Sequence, residues 1–337
     1  MMKGVMYEGV GKVSVLDDLP KPIIKSEEVL IKVKYCGICG SDIEAYKRTG
    51  MASPKTVFGH EFSGEIIEIG ENVKKLKVGE RVIVNPNLPC GDCYWCNRNQ
   101  ENMCKDAPKA LGTLADGAMV EYVNVPAERV HVLPDSISLE EGAAIEPLAV
   151  GIYAVEESGI QLAENAAVYG AGTIGLMTIQ ALKVAGANIF VLEPIESKHQ
   201  LALDMGADSV FIPKNWKKIQ RLTNRIGPDH VFDCVGIAET MTSAINLIRK
   251  GGHITLVGMD PEASLNNFYG LSVFNISLRG IFGYTQDTFR TAISMVESKK
   301  VNVKKMITKI VKLDKVPEAF EILSKPHDEI KVLVEIY

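Results

Sequence analysis

Positive charge is in short supply in this sequence of 337 residues, as are long apolar runs and any cysteine pattern suited to a disulfide framework. Lysine and arginine number 37 against 42 aspartate and glutamate, giving a net charge of -5 and a pI of about 5.8. Proteins that grip nucleic acid through its phosphates show a basic surplus, so no nucleic-acid partner is expected. The basic stretches at residues 74–77 and 214–221 alternate with Leu76, Val78, Trp216 and Ile219, the pattern of solvated faces on half-buried elements. No run approaches the ~18 apolar residues that span a bilayer. Residues 1–8 also lack the apolar core of a secretory signal. No membrane partner is therefore expected, and the place of action is expected to be the cytoplasm, where thiols stay reduced. Internal repeats and low-complexity stretches are missing as well.

What is present suits an ordinary soluble protein, with 46% apolar and 23% charged residues. The length points to two domains, since single cores stop growing near ~250–300 residues. The first part is β-rich: residues 29–35, 64–69 and 81–84 alternate as strands, punctuated by turn-rich stretches at 70–72 and 85–89. The texture changes near residue 150. Apolar strands at 167–169, 188–192, 231–233 and 254–257 then alternate with helical patterns at 173–185, 197–205 and 239–249. Such alternation implies βαβ units and a parallel sheet with right-handed crossovers. A helix at 287–298 and a strand at 330–336 complete the chain.

Gly170-Ala171-Gly172-Thr173-Ile174-Gly175 follows an apolar strand and opens a helix. In G-x-G-x-x-G the first glycine makes the tight turn, the second lets the backbone approach a pyrophosphate, and the third permits close helix–strand packing. The helix N-terminus then offers free N–H groups to the phosphates. Glu193 ends the second strand, 23 positions after Gly170. A carboxylate there accepts from adenosine ribose hydroxyls and repels a 2′-phosphate, which favours NAD over NADP. Lys198 is within reach of the same ribose, although a solvated helix lysine is an equal reading.

Of the seven cysteines (36, 39, 90, 93, 96, 104 and 234), four fall within fifteen positions. An odd count with that crowding points to metal rather than disulfides. Cys90, Cys93, Cys96 and Cys104 form C-x2-C-x2-C-x7-C, the donor set of a tetrahedral structural zinc. A zinc ribbon for nucleic acid is the rival, but the surroundings are acidic and polar. A closed four-thiolate site leaves no place for substrate, so chemistry needs a second metal. Cys39 at the end of one expected strand, with His60 and Glu61 just before another, supplies three ligands and one open position. Cys36-x-x-Cys39 also resembles a redox pair, yet its glycine-rich surroundings give no sign of a helix start.

Cys39-Gly40-Ser41-Asp42, Gly59-His60-Glu61, the four-cysteine loop, Glu146-Pro147-Leu148-Ala149-Val150-Gly151 and the glycine turn together resemble the zinc-containing medium-chain dehydrogenase/reductase (alcohol dehydrogenase) family over essentially the whole chain. The resemblance implies an α/β protein: a GroES-like β-rich catalytic domain from residues 1–150 and 285–337, with a structural zinc loop at 90–104. A doubly wound, parallel-sheet Rossmann domain at 151–284 would bind NAD, and the active site would lie between the two. It implies two zinc ions per chain. Cys39, His60 and Glu61 would hold the catalytic one, with Glu146 joining directly or through water and Asp42 orienting His60. Ser41 would take the substrate's proton and pass it outward, with Glu44 standing where many relatives have a relay histidine. The small-molecule alcohol is expected to be a polyol, sugar or diol, because His-Glu and Glu-Pro-Leu-Ala-Val-Gly resemble the sorbitol, butanediol and galactitol-phosphate dehydrogenase branch. Relatives are commonly homodimers or homotetramers.

Two departures bear on the substrate. Sorbitol enzymes show Phe-Arg-Tyr where this chain has Phe282-Gly283-Tyr284, and an aromatic where it has Ala45. A threonine or sugar-phosphate dehydrogenase of the same family is an alternative, although threonine enzymes carry Gly-Asn at Ala149-Val150. Outside that reading stand a zinc-free NADPH quinone or enone reductase, and a non-catalytic protein that binds zinc and nucleotide.

Overall fold

Runs of β-branched residues bounded by Gly, Pro and Asn become strands in the computed structural model, which describes residues 1–50, 52–106, 110–265 and 267–337. The early strands are β1 (Met2–Gly9), β2 (Lys12–Leu19), β3 (Glu28–Ile38), β4 (Thr56–Val57), β5 (Glu61–Ile69), β6 (Arg81–Val84), β7 (Tyr122–Pro126) and β8 (Val130–Val132). The middle of the chain adds β9 (Asn165–Tyr169), β10 (Asn188–Leu192), β11 (Ser209–Phe211), β12 (His230–Asp233), β13 (His253–Leu256) and β14 (Ser277–Gly280). The tail adds β15 (Ile307–Lys312) and β16 (Lys331–Glu335). The helices are α1 (Gly40–Lys47), α2 (Leu139–Ala143), α3 (Ile145–Ser158), α4 (Thr173–Ala185) and α5 (His199–Asp204). They continue with α6 (Lys217–Leu222), α7 (Ala238–Leu247), α8 (Phe268–Val273), α9 (Gln286–Glu297) and α10 (Val316–Leu323).

Two compact units result. One holds Met1–Glu146, Thr285–Ser298 and Val303–Tyr337, the other Pro147–Tyr284 and Lys299–Asn302. The first carries a small sheet in the order β2-β1-β4 and a larger one in the order β15-β16-β3-β5-β6-β8, with β7 also paired to β3. Its core is apolar and closed: Val5, Val29, Ile31, Val33, Phe58, Ile66, Val125 and Phe320 are fully buried. Phe58 stacks on Tyr7 and on Phe320, which brings α10 from the chain's end onto strands from its beginning.

The second unit is a six-stranded parallel sheet in the order β11-β10-β9-β12-β13-β14. Strand order runs outward in both directions from β9, so the sheet is doubly wound. Ligands bind such sheets at the strands' C-terminal ends, where the order reverses. That point follows β9. The expected α/β class, one β-rich unit and one doubly wound unit, is the one found. Among the described residues no helix is long and apolar enough to cross a membrane.

Two local readings are corrected. Cys39 does open a helix, as the N-cap of α1. Asp42, three positions on, reaches back with Oδ2 to accept from the Cys39 backbone N–H at 2.9 Å, the return half of a capping box. The glycines on either side hid that signal. The expected helix at 197–205 is likewise shorter, a single 3-10 turn (Glu196–Lys198) followed by α5.

Candidate functional site

Strand β3 delivers Cys39 at its end, and Gly59 (φ +101°) turns the chain so that His60 and Glu61 enter β5 beside it. One donor atom from each of Cys39, His60 and Glu61 lies within 4.8 Å of the others. Gly37 on β3 is required by this arrangement: a Cβ there would stand 2.0 Å from Glu61 Oε2. His60 and Glu61 are buried. Asp42 is buried as well, with Oδ1 3.7 Å from His60 Nδ1, which has no hydrogen-bond partner.

Lys331, on β16, escaped the sequence reading. Its Nζ donates to both Glu61 oxygens, at 2.8 and 2.6 Å, and to the Ile38 carbonyl at 3.0 Å, in a site closed to solvent. No local pattern marks this lysine, because its partner lies 270 positions away. Burial alone would lower the pKa of both Lys331 and His60, but the charges around them reverse this. Glu61 and Cys39 raise Lys331, and Cys39 and Asp42 carry His60 well above its ordinary value. Glu146 adds to the pull on both, which places its charge at the site although it stands outside the three-donor cluster. Cys39, Asp42, Glu61 and Glu146 thus face two basic groups, Lys331 and His60. A thiol, an imidazole and a carboxylate within reach of one another are the donor types that zinc takes, and Glu61 keeps lone pairs beyond those Lys331 uses. The residues therefore fit zinc.

Ser41 sits in the first turn of α1, partly exposed. Glu44, one turn later, is drawn outward by Lys47 at 3.1 Å and Arg48 at 3.0 Å. Both side chains lie on one face of the helix.

The four-cysteine loop has tetrahedral dimensions. Sγ separations are 3.5 Å for Cys90–Cys104 and for Cys93–Cys96, and 4.0 Å for Cys90–Cys96. Four thiolates ~2.3 Å from a common zinc stand about 3.8 Å apart, whereas a disulfide would need ~2.05 Å. Backbone N–H groups of Cys96 and Lys105 lower the Cys93 pKa to about 6, whereas the hydrogen bond to Asp92 pushes Cys90 up to about 12 and burial raises Cys96, so the separations and not the titration carry the metal reading. Backbone amides of Cys90 and Asp106 likewise donate to Cys104 Sγ.

In the second unit Gly170 takes φ +89° after β9, and a Cβ on Gly175 would lie 2.0 Å from the Gly170 carbonyl. Gly172 differs, since a Cβ there would meet nothing within 4 Å. The fold itself does not demand that glycine, so the space beside it is available to a ligand. Thr173 and Ile174 begin α4, whose first-turn N–H groups face that end of the helix. Glu193 is buried, and backbone amides hold both its oxygens: Ala171 N at 2.6 Å and Ile195 N at 2.8 Å. His199, also missed in the sequence, donates from Nε2 to the Glu193 carbonyl at 2.8 Å and braces the same turn. Lys198 is half-buried in the 3-10 turn beside it.

Residues 25–135 match the alcohol dehydrogenase GroES-like domain, and residues 173–298 match the zinc-binding dehydrogenase model. The chain is 32% identical to the sorbitol dehydrogenase of Bacillus subtilis, over 99% of this chain and 97% of that protein. With the D-arabitol-phosphate dehydrogenase of Enterococcus avium the identity is 35%, again over 99% and 97%. The crystal structure of 2R,3R-butanediol dehydrogenase from Bacillus subtilis superposes with a TM-score of 0.90 at 31% identity, covering all of both chains.

Proposed function

This chain belongs to the zinc-binding alcohol dehydrogenase family, and we propose that it oxidises a secondary alcohol of a polyol, sugar or diol to the ketone with NAD as hydride acceptor. The observation that carries this reading is the partly buried cluster of Cys39, His60 and Glu61, three donors where a four-coordinate zinc leaves room for an alcohol oxygen. When bound, the zinc supplies Lewis acidity to that oxygen and the nicotinamide ring takes the hydride.

The chain's own residues do the rest. Cys39, His60 and Glu61 hold the metal in this scheme, while Lys331 keeps Glu61 in place through bonds to both its oxygens. Glu146 contributes charge from the start of α3, and Asp42 fixes the opening of α1 beside His60. Ser41 takes the hydroxyl proton. Glu44, on the same helix face and partly exposed, gives that proton a way to solvent. Cys90, Cys93, Cys96 and Cys104 hold the second zinc. Gly170, Gly172, Thr173, Ile174 and Gly175 cradle the pyrophosphate, with Glu193 and Lys198 at the ribose. Thiols that hold metal suit a reducing compartment, and the cytoplasm is proposed as the place of action.

The test is an NAD-coupled screen of polyols, sugars, diols, sugar phosphates and threonine on protein with measured zinc content. No turnover on any of them, with two zinc ions bound, would reject the reading. The sugar-phosphate arm matters because one relative acts on a phosphorylated arabitol by its name. Glu193 supports NAD over NADP. Glu193→Ser is expected to lower kcat/KM with NAD about tenfold or more and to raise it with NADP, because an anion no longer faces the 2′ position. An unchanged NAD-to-NADP ratio would remove Glu193 from that role.

The oligomer is proposed to form along β14. This strand lies at the edge of the parallel sheet with all four residues exposed, and Phe268, Tyr269, Val273, Leu278 and Phe282 add exposed apolar surface nearby in the chain. An open edge of that kind invites pairing with a second copy. Leu278→Lys is expected to shift the sedimentation coefficient to that of a monomer, and a monomeric parent protein would rule the pairing out.

A further inference from the structure

The four-cysteine lobe is poorly supplied with apolar contacts, since Tyr94, Trp95 and Met103 are exposed and only Cys104 of its cysteines is buried. Its buried attachment is polar. Glu101, in the 3-10 turn Glu101–Met103 that leads into Cys104, is 9% exposed. Its Oε1 accepts from the backbone N–H of Gln286, the first residue of α9. That amide is one of the donors a helix start leaves without an intrahelical partner, and a carboxylate there also meets the positive end of the helix dipole. Thr285 satisfies another, accepting from Thr288 N at 3.2 Å.

The side chain of Gln286 extends the junction. Its Oε1 accepts from Asn85 Nδ2 at 2.7 Å, just beyond β6. Its Nε2 donates to the Glu128 carbonyl at 3.1 Å and to His131 Nε2 at 3.0 Å. Burial, with the charges of Arg290 and Arg129, lowers the His131 pKa to about 4, so the ring stays neutral and can accept that bond. His131 also packs on Phe289, within the first turn of α9, at 5.1 Å between ring centroids. Four stretches distant in sequence therefore meet at one glutamine: the cysteine lobe, the end of β6, the β7–β8 connection and α9. The junction is half-buried, with Asn85 and Glu101 on its inner side, and bonded polar groups in such a setting favour one arrangement over others.

From this geometry we infer that the four-cysteine lobe serves as a clamp on the start of α9, with Glu101 as the positioning residue that joins them. The helix begins where the chain returns to the β-rich unit, Thr285 following directly on Tyr284. A metal-set loop holds one carboxylate at that return point, where the lobe has too little apolar surface to do so by packing. The inference concerns the lobe and α9 alone, and it stands whichever substrate the enzyme takes.

Hydrogen exchange on the full-length, zinc-loaded protein tests it. Glu101→Ala is expected to speed exchange of the amides of residues 286–288 about tenfold or more, with two zinc ions still bound per chain. Glu101→Gln keeps an acceptor and is expected to stay within about threefold of the parent protein. Cys93→Ser, which empties the lobe without touching Glu101, is expected to expose the same amides. Unchanged protection of residues 286–288 in Glu101→Ala or in Cys93→Ser would overturn the clamp. So would loss of the lobe's zinc in Glu101→Ala, because Glu101 would then be supporting the loop rather than the helix.

Discussion

Replacing Cys39 by alanine is expected to remove one of two zinc ions per chain and to lower kcat/KM by about 10³-fold or more, roughly 4 kcal/mol of transition-state stabilisation. Cys39 is the sulfur donor of the three-residue cluster proposed to hold zinc, and it is among the groups that raise His60 and Lys331. Without it, His60 and Glu61 are left as two donors, and Glu61 is already paired with Lys331. Metal analysis with kinetics on the same preparation checks this. Cys93→Ser is the control, because it should also release one zinc while acting through the lobe that cannot bind substrate. A Cys39→Ala protein with both zinc ions and undiminished turnover would place the chemistry elsewhere.

The second large effect concerns stability. Lys331→Met is expected to destabilise the zinc-free protein by about 3–5 kcal/mol, because it leaves the Glu61 carboxylate buried without its cation. For a unit of this size that amounts to a fall in melting temperature on the order of 10 °C. The double variant Lys331→Met with Glu61→Gln should recover most of the loss, since the uncompensated charge goes with the glutamate. With zinc loaded, the single variant is expected to lose less, because a dication at the cluster would take over the charge that Lys331 balances. Denaturant titrations of the three proteins, parent, single and double variant, with and without zinc, read these differences directly. Equal losses in the zinc-free and zinc-loaded states would separate Glu61 from the metal.

Local spacing settled a good part of this protein in advance. The strands at 29–35, 64–69 and 81–84 reappear inside β3, β5 and β6, and the glycine turn stands between β9 and α4 as its context required. The four cysteines, at most fourteen positions apart, come together with metal-like separations. In each case the determining residues are near neighbours in the chain, so propensity, alternation or spacing carries the information. The misses have a different origin. β15 lies among charged residues with only a short apolar pattern. α10 does carry the helical spacing Val316, Ala319, Phe320 and Leu323 in a segment of eight residues, and only packing, such as Phe320 on Phe58, shows where that face goes.

The opening scarcity of positive charge acquires a meaning only in three dimensions. Composition shows a modest acidic surplus spread over the whole chain. Folding concentrates part of it, setting Cys39, Asp42, Glu61 and Glu146 around one buried lysine drawn from the far end of the sequence. Cys39, His60 and Glu61 are donor types, but singly each has an ordinary structural reading, and the family resemblance was needed to join them into one site. That Glu61 is shared with Lys331, that Glu101 reaches Gln286 across 185 positions, and that Glu193 is held by two backbone amides were decided by tertiary structure. Such pairs carry no local signature: burial makes an unpartnered charge costly, and the fold alone determines which distant group arrives to meet it.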